Sequence, residues 1–233
     1  MDIVILTEYF PTINEDVRGG VELRTHFIAK YLSKYFDLKV ISSNEVGKPV
    51  REDFGSFSVE RVGPKRSYTQ FGEKLSRLRF VRSAFKQVLK YNPLIVQGEN
   101  FITYLPAFKA AKKLSARSIA TYHDVWLGNW IKNAGFLSFY MELVEKYIIT
   151  RPWHLIIAVS NYTLENLKLH GCKAKRFLVS YNGIDPSRFP RSIVKFQKPT
   201  LIYVGRLVTY KHVDDLLRAF KMVVQEFKDA RLL

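Results

Sequence analysis

Apolar residues along this chain gather into short runs separated by stretches with helical spacing. The runs occupy 3–6, 38–42, 58–62, 94–96, 118–121, 155–159, 176–180 and 201–204. Runs this short and this apolar suit parallel strands buried on both faces. Between them, Val21, Leu23, Phe27, Ile28, Tyr31 and Leu32 recur at helical spacing, and the same period predicts helices over 71–89, 107–114 and 163–169. Strands alternating with helices imply βαβ crossovers and an α/β class, a Rossmann-like doubly wound parallel sheet. Residues 185–199 hold three prolines and no clean period, the mark of a linker. A new strand and an amphipathic helix follow it. The expected organisation is a complete domain over 1–185, a linker over 186–199, and the first βα unit of a second, truncated Rossmann-like domain over 200–233.

Composition narrows the class. With 47% apolar residues in 233, the chain can bury a core. Cys172 is the single cysteine, so no intrachain disulfide and no thiolate metal cluster can form. A reducing, cytoplasmic compartment is expected. The start, MDIVILTEYFP, has an acid at position 2 and only four apolar residues in a row, unlike a signal peptide. No run reaches the ~20 apolar residues that cross a bilayer. The expected location is cytoplasmic, with possible association with the cytoplasmic face of a membrane.

The formal net charge is +16, and the excess begins after residue 50. Lys65, Arg66, Lys74, Arg77, Arg79, Arg82, Lys86 and Lys90 face only Glu73 in their stretch. Such a field attracts polyanions: nucleic acid, anionic lipid or phosphorylated small molecules. Apolar residues at 71, 75, 78, 81, 85 and 88 with cations between them describe a basic amphipathic helix that can lie on an anionic membrane. The same pattern describes a core-packed helix with a solvated basic face. No aromatic-interleaved RNA motif or zinc knuckle occurs, and nucleic acid is not an expected partner.

Four constellations can carry chemistry. Gly19-Gly20 stands between the first strand and its helix, where the backbone can approach a ligand and a helix N-terminus can meet an anion, although a plain turn reads the same way. His123 and Asp124 end the strand of IATYHDVW, at the edge where open parallel sheets hold their ligands; a His bonded to backbone is the alternative. Ser160 is placed to cap a helix and Asn182-Gly183 to make a tight turn, both structural. Arg206 follows a strand and Lys211 opens a helix, an arrangement for a diphosphate or simply two solvated cations. His26, His154, His170 and His212 show no metal-ligand spacing.

Taken in order, these segments resemble family 4 retaining glycosyltransferases of the GT-B fold, in which two Rossmann-like domains face each other across a cleft. The matching motifs are TEYFP with GGVE, TYHD, VSNYTLENL, NGIDPSRF and VGRLVTYKHVDDLLRAF. The resemblance implies a nucleotide-diphosphate sugar as donor and a glycan, lipid or lipid-linked acceptor, with no metal or other cofactor. It assigns the leaving diphosphate to Arg206 and Lys211 and donor contact to Gly19 and Gly20. His123 takes the catalytic face of the donor sugar, and Glu22 and Asp124 make sugar or acceptor contacts. The family's G-x-G turn and paired glutamates do not occur, so the chain is expected to be a fragment inactive alone. His212 stands where the family has Gly, and Gln97 where it often has His. A non-catalytic module binding polyanions or a membrane through its basic face is the competing expectation, and a GT-B epimerase a weaker third.

Overall fold

Four consecutive branched apolar residues form β1 (Ile3–Leu6), and all four are buried. A strand with no polar face must be covered on both sides, and β1 accordingly lies within the sheet, flanked in parallel by β2 (Leu38–Glu45) and β5 (Ile95–Gly98). The computed structural model describes residues 1–233 except 15, 70, 71, 136, 137 and 190–194. Contacts divide the chain into two units, Met1–Asn182 and Gly183–Leu233.

The first unit also contains β3 (Arg51–Asp53), β4 (Ser58–Arg66), β6 (Arg117–Tyr122), β7 (Leu155–Ala158) and β8 (Phe177–Val179), giving one eight-stranded sheet in the order β3-β4-β2-β1-β5-β6-β7-β8. Only the β3–β4 pair is antiparallel. Its helices are α1 (Gly20–Leu32), α2 (Lys74–Tyr91), α3 (Phe101–Leu114), α4 (Trp130–Ala134), α5 (Phe139–Ile149) and α6 (Asn161–Leu169). Alternation along β1 divides the core between the two faces. Val4 and Leu6 join Phe80, Ala84 and Val88 of α2 and Ala107 and Ala111 of α3, whereas Ile3 and Ile5 join Phe10, Ala29 of α1, and Phe57. This is the doubly wound arrangement expected from the pattern.

The second unit holds β9 (Thr200–Leu201), paired in parallel with β10 (Arg231–Leu232), and α7 (Val213–Glu226). The apolar run over 201–204 thus keeps only its first residue in a strand; Ile202 and Val204 are exposed.

Several expectations are corrected. β2 and β4 run past their apolar cores because their polar ends are paired: Glu45 meets Lys48 at 2.9 Å, and Arg66 meets Glu8 at 2.7 Å. Arg66 is therefore buried and compensated rather than part of a solvent-facing basic field. α3 starts six residues before the predicted 107, behind a reciprocal Asn100–Thr103 cap, and accommodates Pro106. In α2 the buried stripe is Phe80, Ala84 and Val88, flanked by half-buried Val81 and Phe85, so positions 81, 85 and 88 serve the core and cannot face a membrane. Leu75 and Leu78 remain exposed, and residue 71 lies outside the described residues. Ser160 does cap α6, its side chain accepting from the Thr163 amide, whereas Asn182-Gly183 carries no turn. No helix among the described residues is long and apolar enough to cross a membrane.

Two features hold the region after β6. Tyr104 of α3 stacks on Tyr122 and donates to the Thr121 carbonyl at 2.6 Å. Glu145 of α5 is buried and accepts from the Trp126 amide at 3.2 Å and from Trp130 Nε1 at 2.5 Å, which pins the loop beyond His123. Burial pushes the Glu145 carboxyl up to about 7, against the lowering effect of those two donors; Glu142 and Asp124 add repulsion.

Gly63 in β4 has φ +87, and a Cβ there would lie 3.0 Å from the Phe80 backbone. Gly63→Ala is expected to lower the urea-unfolding free energy by about 3 kcal/mol, combining positive-φ strain with overpacking against α2. Gly47→Ala, at φ +82 in open space, is expected to lose about 1 kcal/mol from strain alone. For Glu145 the native carboxyl titrates above its unfolded value of about 4.5. The native state therefore binds the extra proton, and stability falls as pH rises from about 4.5 to about 7, then levels. Urea unfolding across that window should show a shallower fall in Glu145→Gln than in the parent.

Candidate functional site at the carboxyl edge of the sheet

In an open parallel sheet the ligand crevice lies beyond the carboxyl ends of the strands. A hollow of about 650 Å³ lined by Met1, Leu38 and Ser58 sits at the opposite, amino end, so it is set aside. The carboxyl edge carries three groups of polar residues in the first unit.

The first is the loop from β1 into α1. Gly19, the N-cap, is extended (φ −157, ψ 157), a conformation open to any residue. A Cβ there would make ordinary contacts with Tyr68 Oη and Glu22 Oε1, and one on Gly20 would meet nothing. Neither backbone strain nor internal packing requires these glycines, so what they provide is clear space in front of a helix N-terminus. Glu22 is buried, its Oε2 accepting the Arg18 amide at 3.2 Å, and burial raises its carboxyl above the usual range. Arg24 ties α1 to the segment after β8 by donating to Ser180 Oγ, the Tyr181 carbonyl and Asn182 Oδ1.

The second group spans β5 and β6. His123 follows β6 with its side chain 20% exposed, and Asp124 is exposed. Asp124 Oδ1 accepts from the Val125 amide at 2.8 Å and is not paired with His123. The carboxylate that faces the imidazole is Glu99, which is 1% exposed, with Oε2 3.9 Å from His123 Nε2. Glu99 Oε1 accepts from Gln97 Nε2 and from Thr121 Oγ1. Glu99 Oε2 and His123 Nε2 are both enclosed and without a hydrogen-bond partner. Leaving a buried polar atom unpaired costs about 1–3 kcal/mol, so this pair is one of the costly points in the buried polar network. Sequence reasoning stopped at Gln97 and passed over Glu99. The available signal was period-two polarity, Gln97-x-Glu99 on one strand end beside Thr121-x-His123 on another.

The third group surrounds Glu8, just beyond β1. Its Oε1 accepts from Arg66 at 2.7 Å and Arg77 at 2.9 Å, and the Arg66 guanidinium lies 4.9 Å from the Tyr9 ring. One carboxylate is thus shared by two guanidinium groups.

The second unit carries Arg206 and Lys211, both exposed. Arg206 Nη2 donates to Tyr210 Oη at 2.8 Å, and Lys211 Nζ lies 5.7 Å from the Tyr210 ring centre. One tyrosine thus gathers both cations, and no ion pair among the described residues neutralises either. His212, the N-cap of α7, has φ +51. This left-handed conformation suits glycine, and the chain accepts a β-carbon there. Among the described residues the one cluster of three possible metal ligands is His212, Asp214 and Asp215; all are exposed, and both acids already pair with Arg218.

Comparison with known proteins agrees with this architecture. A model of glycosyltransferase family 4 matches residues 18–188. Glycogen synthase of Mycobacterium tuberculosis is 27% identical over 134 residues, 55% of this chain and 32% of that protein, so the match spans about a third of the curated relative's length. Among solved structures, sucrose-phosphate synthase from Thermosynechococcus elongatus aligns with a TM-score of 0.74 at 14% identity, over 100% of this chain and 70% of that one. Anabaena HepE in complex with UDP and glucose aligns with a TM-score of 0.62 at 16% identity, over 100% and 69%. At those identities the structures speak for the fold, which is GT-B, while the family match covers most of the chain. The chain belongs to glycosyltransferase family 4.

Proposed function

We propose that the chain serves transfer of a sugar, with retention of anomeric configuration, from a nucleoside diphosphate sugar to a glycan, lipid or small-molecule acceptor. Residues 1–185 form the acceptor side and residues 200–233 open the donor-binding side. The observation that carries this reading is the carboxyl edge of the sheet, where unencumbered Gly19 and Gly20 and a partly exposed His123 share the rim that open parallel sheets use for ligands. The complex of HepE with UDP and glucose supports the donor class.

Cleavage of the bond to the diphosphate places negative charge on the leaving group and oxocarbenium character on the sugar. Arg206 and Lys211 answer the first, since they are cations with no carboxylate partner among the described residues, held by one tyrosine. Fixed charge of this kind is usually the largest catalytic term. Gly19 and Gly20 let main-chain N–H groups near the donor phosphates, and His123 meets the donor sugar beside its reacting carbon. Glu22 shapes the loop through its bond to the Arg18 amide, while Asp124 is exposed and free to meet a hydroxyl. The reading requires no metal.

A second surface bears on the acceptor. Leu75 and Leu78 of α2 and Phe139 and Tyr140 of α5 are exposed, and Lys74 Nζ lies 5.2 Å from the Tyr140 ring. Apolar side chains among Lys74, Arg79 and Arg82 suit shallow docking on an anionic bilayer, which would favour a lipid or lipid-linked acceptor.

In the full-length protein, with UDP-glucose as donor probe, Arg206→Ala and Lys211→Ala are each expected to lower turnover ~10²–10³-fold while leaving circular dichroism unchanged. Parental turnover in both variants would reject the diphosphate assignment. In flotation assays, liposomes containing phosphatidylserine should carry more protein than neutral ones, and a Leu75→Ser/Leu78→Ser double variant should remove the difference. Equal recovery on both vesicles would reject the membrane surface.

A further inference from the structure

The parallel register of β5 and β6 pairs Gln97 with Ile119 and Gly98 with Ala120. One step further along, Glu99 stands beside Thr121, and alternation puts Gln97, Glu99, Thr121 and His123 on one face of the sheet. On that face Glu99 Oε1 is saturated: Gln97 Nε2 and Thr121 Oγ1 both donate to it. Glu99 Oε2 has no hydrogen-bond donor, and His123 Nε2 lies 3.9 Å from it, just beyond hydrogen-bond reach. Both atoms are shut off from solvent and both lack partners. The ring's other nitrogen, Nδ1, is not enclosed in this way. One oxygen of the neighbouring Asp124 carboxylate, Oδ1, accepts from the Val125 amide.

We propose that Glu99 is the positioning residue of His123: a small side-chain rotation closes the gap, Nε2–H donates to Glu99 Oε2, and the lone pair of Nδ1 is left facing the ligand side. This rests on the place of His123 in the proposed function. Neutral imidazole carries one N–H and one lone pair, and an ionised carboxylate can only accept, so the pairing selects a single tautomer. Two buried, complementary, unpaired atoms within a short rotation of each other are more stable bonded than apart. With Nδ1 as an acceptor, the group it would meet is a donor, which is what a sugar hydroxyl offers. Gln97 and Thr121 belong to the same device, because they hold Oε1 and so aim Oε2.

The test reads the tautomer directly by 15N NMR of the ring nitrogens, with His123 assigned by the signal lost in His123→Asn. The parent chain is expected to show Nε2–H. Glu99→Gln keeps the shape and the two donors on Oε1 but turns an amide N–H toward Nε2, so the proton should move to Nδ1. An Nδ1–H tautomer in the parent, or the same tautomer in parent and variant, would overturn the proposal. If Glu99→Gln fails to fold, the parental tautomer alone still decides. In the full-length protein, with UDP-glucose as probe, Glu99→Gln is expected to reduce kcat by about tenfold or more with KM changed less than twofold, as misdirected tautomers elsewhere reduce turnover. Loss in His123→Asn with none in Glu99→Gln would overturn the positioning role alone. Parental turnover in both would instead overturn the catalytic place of His123.

Discussion

Because β1, β5 and β6 are covered on both faces, their middles exclude charge, and polar side chains can emerge only where each strand ends. The amino ends of β5 and β6 follow their preceding helices closely, whereas the carboxyl ends of β1 and β6 open into longer loops before α1 and α4. The polar groups of the first unit named above are therefore crowded onto one rim: Glu8 beyond β1, Glu45 and Arg66 at the ends of β2 and β4, Glu99 beyond β5, and His123 and Asp124 beyond β6. Desolvation then sorts these groups. Glu45 and Arg66 are buried and find opposite charges within hydrogen-bond distance, as ions removed from water must. Glu99 is equally buried and has hydrogen-bond donors on one oxygen only. Of Gln97, Glu99, Thr121 and His123, the first three are buried and His123 keeps a route to solvent.

Much of the architecture was legible because strand and helix periods are written in apolar spacing. Ile3–Leu6 and the alternation of short runs with amphipathic stretches gave the class and nearly all the parallel strands. β3 was not legible, since Arg51, Glu52 and Asp53 form an edge strand with no apolar alternation to announce it. α5 was obscured by Glu145, an acid on its buried side. The basic stretch misled for the same reason: charge in a sequence does not reveal whether it is solvated, and Arg66 turned out to be enclosed beside Tyr9 and Phe80. In α2 the apolar stripe was drawn through Leu75 and Leu78, while Phe80 was the residue that reached the core.

The site was half legible. Gly19, Gly20, His123, Arg206 and Lys211 stand at a helix start, a strand end or an exposed turn, where residue type alone suggests contact with a ligand. Glu99 was missed because its significance comes from a neighbour on another strand, a relation set by register and invisible along one stretch of chain. Tyr210 was missed likewise; its value lies in contacting Arg206 through its hydroxyl and Lys211 across its ring. His212 shows the limit of reading a departure from a family pattern. The backbone keeps the left-handed turn that favours glycine, so the substitution adds a side chain without abolishing the helix start.

The tryptophans have a practical side. Of the three in the chain, Trp153 lies in the core, while Trp126 on the loop beyond His123 and Trp130 at the start of α4 have ring centres 5.1 Å apart, and the indole N–H of Trp130 ends on Glu145. Indole emission depends on polarity and on nearby carboxyl groups. The protein therefore carries its own fluorophores beside the rim proposed to bind ligands, and unlabelled material can report optically on what happens there.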